Sequence, residues 1–175
     1  MPRRRISVTA AISFALTAAL WSCAPFATYP PIDGAVGIDN PVYEPVPTIM
    51  ADSFRYVHDR YNAGHDAFAV NLPPGTPAKV YDKVLLKLGT GEPMTDSSQW
   101  GYHLVELRSR GLSAEADFVV PRPGAPHALV TLHLEKQFND YSVKSAKVWN
   151  LPVSVPGPNY VPPPVAEALA QGDSK

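Results

Sequence analysis

Proline is unevenly distributed along this chain, and its distribution limits where a packed domain can form. Of the 20 prolines among 175 residues, six lie in residues 24–47 and six more in residues 152–164. Because proline lacks the backbone N–H group that helices and sheets use, both stretches are poor sites for regular structure. We therefore predict a semi-rigid spacer over residues 23–47, a globular domain over 48–151 and a proline-rich tail over 152–175. The alternative for the spacer is docking on the domain through Tyr29, Val42 and Tyr43.

Two amphipathic helices are predicted in the first half of the domain. The first covers residues 49–62, with Thr48 as N-cap and Asp52 in its first turn. Its apolar stripe consists of Met50, Phe54, Val57 and Tyr61. The second follows Thr76 as N-cap and Pro77 as its first residue, and it ends at Gly89. Its apolar face carries Val80, Tyr81, Val84 and Leu88, whereas Lys79, Lys83 and Lys87 form either a solvated stripe or a docking strip for an acidic partner.

Beyond a polar loop at residues 90–100, the hydrophobic pattern changes to a period of two, which is typical of strands. Strands are predicted at Tyr102–Arg108, Ala114–Val120, Ala128–Gln137 and Tyr141–Leu151, with a short earlier strand at Ala67–Asn71. Turn residues separate the four longer strands, which favours an antiparallel meander. The predicted fold is therefore α+β, with two helices packed on a four- or five-stranded antiparallel sheet. This order of elements resembles the NTF2-like and cystatin-like rolls, and the resemblance implies a curved sheet that cups helices around a cavity.

The first 22 residues have the pattern of a secretory signal peptide. Arg3, Arg4 and Arg5 precede a charge-free run of 16 residues from Ile6 to Trp21. As a helix this run would be about 24 Å long, shorter than the ~30 Å hydrocarbon core of a bilayer. We therefore expect a cleaved signal rather than a membrane span. The three arginines are also compatible with a twin-arginine export signal, although simple positive charge is the commoner meaning.

The only cysteine of the chain, Cys23, follows this segment directly. Leu20, Ser22 and Cys23 resemble the lipobox of bacterial lipoproteins, whereas Trp21 is larger than the residue usual at its position. The resemblance implies cleavage before Cys23 and attachment of a diacylglycerol to its sulfur. Two or more acyl chains anchor a protein stably where one does not. The alternative is an unmodified core cysteine beside an uncleaved signal anchor.

Charge and cysteine content exclude several classes of function. The net charge is −1, and Lys and Arg are not clustered as nucleic-acid binding requires. A single cysteine forms neither an internal disulfide nor a cysteine-cluster zinc site. Motifs for a serine nucleophile or a phosphate-binding loop are not found either.

The five histidines invite two hypotheses about a site. His58 and His65 are candidate metal ligands, with Asp59 or Asp66 to orient them, but His65 lies beyond the predicted helix end. A simpler interpretation is that they are polar residues at a helix end. A histidine and an acid on a concave sheet face would instead support general acid–base chemistry. The candidates are His103, His133, Glu106, Glu135 and Asp117, of which Asp117 and His133 alternate onto the more polar face and are expected to be solvated.

Aromatic residues suggest one further site. Trp100, Tyr102, Trp149 and Tyr160 would form a patch for stacking sugars or peptides if they were exposed together, although buried aromatics at the ends of strands are commoner.

Taken together, these patterns predict a bacterial envelope lipoprotein, anchored to a membrane by lipid and facing the periplasm or the exterior. Cys23, as the lipidation site, is the one functional residue predicted; no catalytic residue, metal ligand or cofactor is expected. The domain is expected to bind an envelope protein or a cell-wall partner, and no nucleic acid. The alternative is a small-ligand-binding or lyase/isomerase-like protein with an NTF2-like cavity. A third possibility is a structural component without a ligand.

Overall fold

A computed structural model describes residues 25–163 of the protein. Along this part of the chain the elements are β1 (Ala27–Tyr29), β2 (Val36–Gly37), α1 (Val46–Tyr61), β3 (Ala69–Asn71), α2 (Ala78–Leu88), β4 (Glu92–Pro93), β5 (Gly101–Arg110), β6 (Ser113–Arg122), β7 (Ala125–Gln137) and β8 (Asp140–Trp149). Neither helix is long and apolar enough to cross a membrane. The predicted signal at residues 1–22, Cys23 and a short helix predicted at 165–171 lie outside the described residues.

The strands form one mixed sheet. Strands β5 to β8 make the predicted antiparallel meander. The edge of β5 that faces away from β6 pairs with two short strands. Strand β3 pairs parallel with the first half of β5, and β1 pairs antiparallel with the second half of β5. Strand β2 pairs parallel with β1, and strand β4 pairs parallel with β3. The α+β class is confirmed, but the prediction of four or five antiparallel strands understates an eight-stranded mixed sheet.

Both helices pack on the sheet and enclose the main core. Met50, Phe54 and Val57 of the predicted α1 stripe are fully buried, whereas Tyr61 is partly buried. The predicted apolar face of α2 is also buried. Phe54 meets Phe118 of β6 edge to face, with ring centroids 4.9 Å apart. Burial of such large side chains supplies most of the favourable free energy of folding. The alternation predicted for β6 is confirmed from Ala114 to Phe118, whereas Val119 and Val120 are both buried.

The observed helix ends agree only in part with those predicted from the sequence. Gly89 adopts a left-handed conformation (φ 75°) and its N–H donates to the Leu85 carbonyl, as expected of a helix-ending glycine. The N-caps were predicted wrongly. Thr48 lies inside α1, where its hydroxyl donates to Glu44 Oε2 at 2.6 Å. Pro77 occupies the N-cap position of α2, and Thr76 instead donates to the Pro73 carbonyl and hydrogen-bonds the Tyr29 hydroxyl.

Residues 25–47 dock on the domain rather than extend as a spacer. Tyr29 is buried, and β1 supplies hydrogen-bonding partners to the open edge of β5. Further along, Lys83 donates to the Val42 carbonyl at 3.0 Å and Lys87 forms an ion pair with Glu44 at 2.8 Å. Two members of the lysine stripe therefore hold this segment. The prolines of the segment interrupt its strands without preventing docking, because they fall outside the paired residues.

Candidate functional site

An open cleft of about 620 Å³ lies where β5 begins and where β6 turns into β7. Its lining combines histidines, an arginine and aromatic surface: His65, Trp100, His103, Arg122 and His127. Residues 155–157 of the C-terminal segment form another part of the wall. The cleft is therefore built from four separate stretches of the chain: His65, residues 97–103, residues 121–127 and residues 155–157.

His103 is the most buried ionisable group of the cleft, with about 5% of its surface exposed. Its neighbour on β3 is Asn71, whose Nδ2 lies 3.0 Å from His103 Nδ1. Asn71 Nδ2 also donates to the Gly157 carbonyl at 2.7 Å, and Asn71 Oδ1 accepts from the Asn159 N–H at 2.9 Å. Because these contacts fix which amide atom is the donor, His103 Nδ1 must accept, and the imidazole proton sits on Nε2.

The environment of His103 keeps it neutral. Burial, and secondarily the nearby His127, lower the pKa of His103 to about 4. A neutral imidazole with Nδ1 already engaged offers Nε2–H as a donor. It takes up a proton only by losing the bond from Asn71. Near neutral pH this side chain is therefore a hydrogen-bond donor rather than a general base.

The C-terminal segment is held by side chains at the edge of the sheet. Asn159 Nδ2 donates to the Leu72 carbonyl at 2.9 Å, in addition to the bonds with Asn71. The Tyr160 ring packs edge to face on Tyr81 of α2, with centroids 4.9 Å apart. These contacts position residues 155–157 as a wall of the cleft. No helix or strand occurs in residues 152–163, as their proline content predicts.

The lining of the cleft also includes an aromatic face and a cation. His65 stacks on Trp100 with centroids 4.1 Å apart and planes within 17° of parallel. Arg122 is exposed, and its Nε donates to the Pro126 carbonyl at 2.9 Å, which leaves the other guanidinium nitrogens available to an occupant. A stacked aromatic pair beside a guanidinium suits flat or anionic chemical groups.

The histidines predicted as metal ligands do not meet. His58 stacks on Phe68 at 4.2 Å and lies 3.4 Å from the Tyr102 hydroxyl, whereas His65 stacks on Trp100. Within residues 25–163, no three His, Cys, Asp or Glu side chains are grouped to hold a metal ion. The structure therefore gives no support to the metal hypothesis.

The acid–base candidates are also separated. His133 lies 3.2 Å from Glu115, and Asp117 is paired with Arg108 at 2.9 Å. His103, by contrast, bonds to an amide rather than to a carboxylate. Glu106 lies 3.5 Å from Arg108, and Glu135 is exposed. The hypothesised dyad is not assembled.

The four aromatics considered as a stacking patch occupy four different environments. Trp100 lines the cleft and Tyr102 is fully buried. Trp149 donates to Thr131 and has Lys147 Nζ 3.4 Å from its ring centroid, and Tyr160 packs on Tyr81. Sequence reasoning missed Asn71, Arg122 and His127, because their roles depend on contacts with residues far away in the chain.

Comparison of the chain with protein-family models, with curated proteins and with solved structures finds no match.

Proposed function

We propose that this chain is a bacterial envelope lipoprotein, acylated at Cys23, whose domain binds a partner in the cleft without catalysing a reaction. The N-terminal charge, the apolar run and the lipobox-like residues before Cys23 support the anchor. The cleft, with its stacked rim and available guanidinium, supports the binding role.

The observation that carries this proposal is that the N-terminal segment joins the sheet at one end of β5 and the cleft lies at the other end. Ala27 pairs with Ser109 near the end of β5, whereas the cleft includes Gly101 at its beginning. A ten-residue strand separates these ends by roughly 30 Å. A domain attached to lipid through the residues before Ala27 would therefore present its cleft away from the membrane, where envelope proteins and cell-wall material are accessible.

The chemistry of the cleft supports binding over catalysis. His103 is neutral and tied to Asn71, so it does not serve as a base near pH 7. The space between helices and sheet is filled by side chains such as Phe54 and Phe118, which contrasts with the cavity of an NTF2-like roll. The presence of His65, His103 and His127 around one cleft is the observation that favours the alternative, a small-ligand-binding or lyase/isomerase-like protein.

Envelope extracts provide the test of binding. The acylated protein is compared with an Arg122→Ala/His127→Ala variant and with a His133→Ala control, since His133 lies outside the cleft. We expect wild type and control to enrich the same envelope protein or cell-wall fragment, and the double variant to lose it. Identical enrichment by all three would contradict the assignment of the cleft. Turnover of a small molecule that the double variant abolishes would favour the alternative.

The anchor has its own test. Mass spectrometry of the purified product should find Cys23 as the N-terminal residue, carrying a diacylglycerol. A product that begins elsewhere, or that retains a free thiol, would contradict the lipoprotein assignment and leave the cleft result unaffected.

A further inference from the structure

Two hairpin turns at one end of the sheet carry exposed apolar side chains. Leu112, in the β5–β6 turn, is 67% exposed, and Phe138, in the β7–β8 turn, is 98% exposed. The two turns are neighbours, since the Lys136 N–H donates to the Leu112 carbonyl at 2.8 Å. We call Leu112 and Phe138 the apolar tips. They lie at the end of β5 opposite the cleft.

Folding does not account for Phe138 at its position. Its φ of 57° is left-handed, a conformation that glycine or asparagine adopts more readily than an aromatic residue. Its ring is almost fully in water, so it adds nothing to the core. The exposed Phe138 ring is therefore available for a contact outside the domain.

The chain reaches this same end from its N-terminal side. Ala27 pairs with Ser109, and the Arg110 guanidinium lies 4.6 Å from the Phe26 ring centroid. Cys23 is four residues before Ala27, and four residues span at most about 14 Å. Acyl chains on Cys23 would therefore enter the membrane close to the apolar tips.

We propose that the apolar tips insert into the lipid surface and, with the acylated Cys23, fix the orientation of the domain on the membrane. This inference rests on the proposed function, because the acyl chains bring the tips to the lipid. The nearby Arg110 and Lys136 are balanced by Glu135 and Asp140, so burial of apolar surface rather than net charge drives the contact. A lipid anchor alone leaves a domain free to tilt, whereas three contacts around one end hold it upright.

Depth measurements on the acylated full chain in phosphatidylcholine vesicles test this proposal. Nitroxide labels are attached to cysteines introduced as Leu112→Cys or Phe138→Cys, with Ser97→Cys at the cleft as the matched control. Acylation consumes the Cys23 thiol, so only the introduced cysteine is labelled. We expect labels at 112 and 138 to collide with oxygen dissolved in lipid and to be shielded from aqueous nickel, and the label at 97 to remain exposed to nickel. Equal exposure of all three labels would overturn the proposal.

A second variant tests orientation without risk to folding. Phe138→Gly relieves the conformational strain of a positive φ and removes no core contact. Leu112→Ser changes a side chain that is mostly exposed. Energy transfer from a label at position 97 to dyes in the lipid surface measures the distance between the cleft and the membrane. In the otherwise wild-type protein this distance should have a single narrow distribution. With both tips replaced, the distribution should broaden towards the surface. An unchanged distribution would overturn the proposal, as would insertion of the tips in anionic vesicles only.

The two proposals fail in different ways. The mass of the N-terminus reports acylation, whereas the labels report insertion. Normal acylation with fully aqueous tips would refute the inserted tips and retain the lipoprotein. An unmodified Cys23 would refute acylation, and with it the joint orientation of the domain by the anchor and the apolar tips.

Discussion

Acidification should destabilise the domain through His103 in particular. The pKa of this group falls from its usual 6.5 to about 4 in the fold, because burial and His127 disfavour its charged form. A depressed histidine pKa means that the unfolded chain binds the proton more tightly. The stabilising contribution is therefore complete above pH 6.5 and is lost as the pH falls from 6.5 towards 4.

The magnitude follows from the two pKa values. A difference of roughly 2.5 pKa units, at about 1.36 kcal/mol per unit, gives about 3 kcal/mol. Protonation would also place a second donor against Asn71 Nδ2, whose bond to Nδ1 is 3.0 Å long. This amount is a large part of the free energy of unfolding of a small domain, about 5–15 kcal/mol.

Urea unfolding at a series of pH values between 7 and 4 measures this effect. Wild type is compared with His103→Gln, which cannot titrate, and with His133→Gln, whose histidine is half exposed at Glu115. The free energy of unfolding should fall by about 3 kcal/mol more in wild type and in the His133→Gln control than in His103→Gln. Carboxylates titrate in all three proteins, so the difference isolates His103. Parallel pH profiles for wild type and His103→Gln would refute the reasoning.

Three further substitutions have defined outcomes. Asn71→Ala removes the bonds to His103, Gly157 and Asn159 and should cost about 2 kcal/mol, with faster amide hydrogen exchange at Asn159; slow exchange there would contradict its role in holding the segment. Gly101→Ala should prevent normal packing of β3 on β5, because a Cβ atom would collide with the Ala69 carbonyl; a thermal unfolding midpoint equal to that of wild type would disprove this close approach. Phe54→Ala should lower the free energy of unfolding by about 3–5 kcal/mol, measured in urea, and a loss below 1 kcal/mol would argue against a tightly filled core.

Elements with long periodic patterns were predictable from sequence. The face of α2 follows from four apolar residues at helical spacing and from Gly89 at its end. The meander follows from four predicted strands of at least seven residues each, separated by turn residues. Strand β3 lies within the predicted short strand Ala67–Asn71, whereas β1, β2 and β4 contain only two or three residues each and show no recognisable period. Their positions are determined by the free edge of β5.

Polar side chains with distant partners were the least predictable part. Asp52 was expected to interact with the helix dipole, yet it is buried and accepts from the Tyr141 N–H at 2.7 Å, 89 residues away in the chain. Asn71 joins His103 to Asn159 in the same way. A short-range pattern does not identify such partners, because the contacts exist only once the sheet and the C-terminal segment have come together.

The two edges of the sheet affect how crowded copies of this protein behave. One edge ends in β2 and β4, which contain two residues each and expose too little backbone to pair with a neighbour. The other edge is β8, a ten-residue strand that carries the exposed Lys144 and Lys147 and is soon followed by Pro152. Mutual repulsion of lysines discourages edge-to-edge association. Both edges of the sheet therefore disfavour pairing with a second copy of the chain.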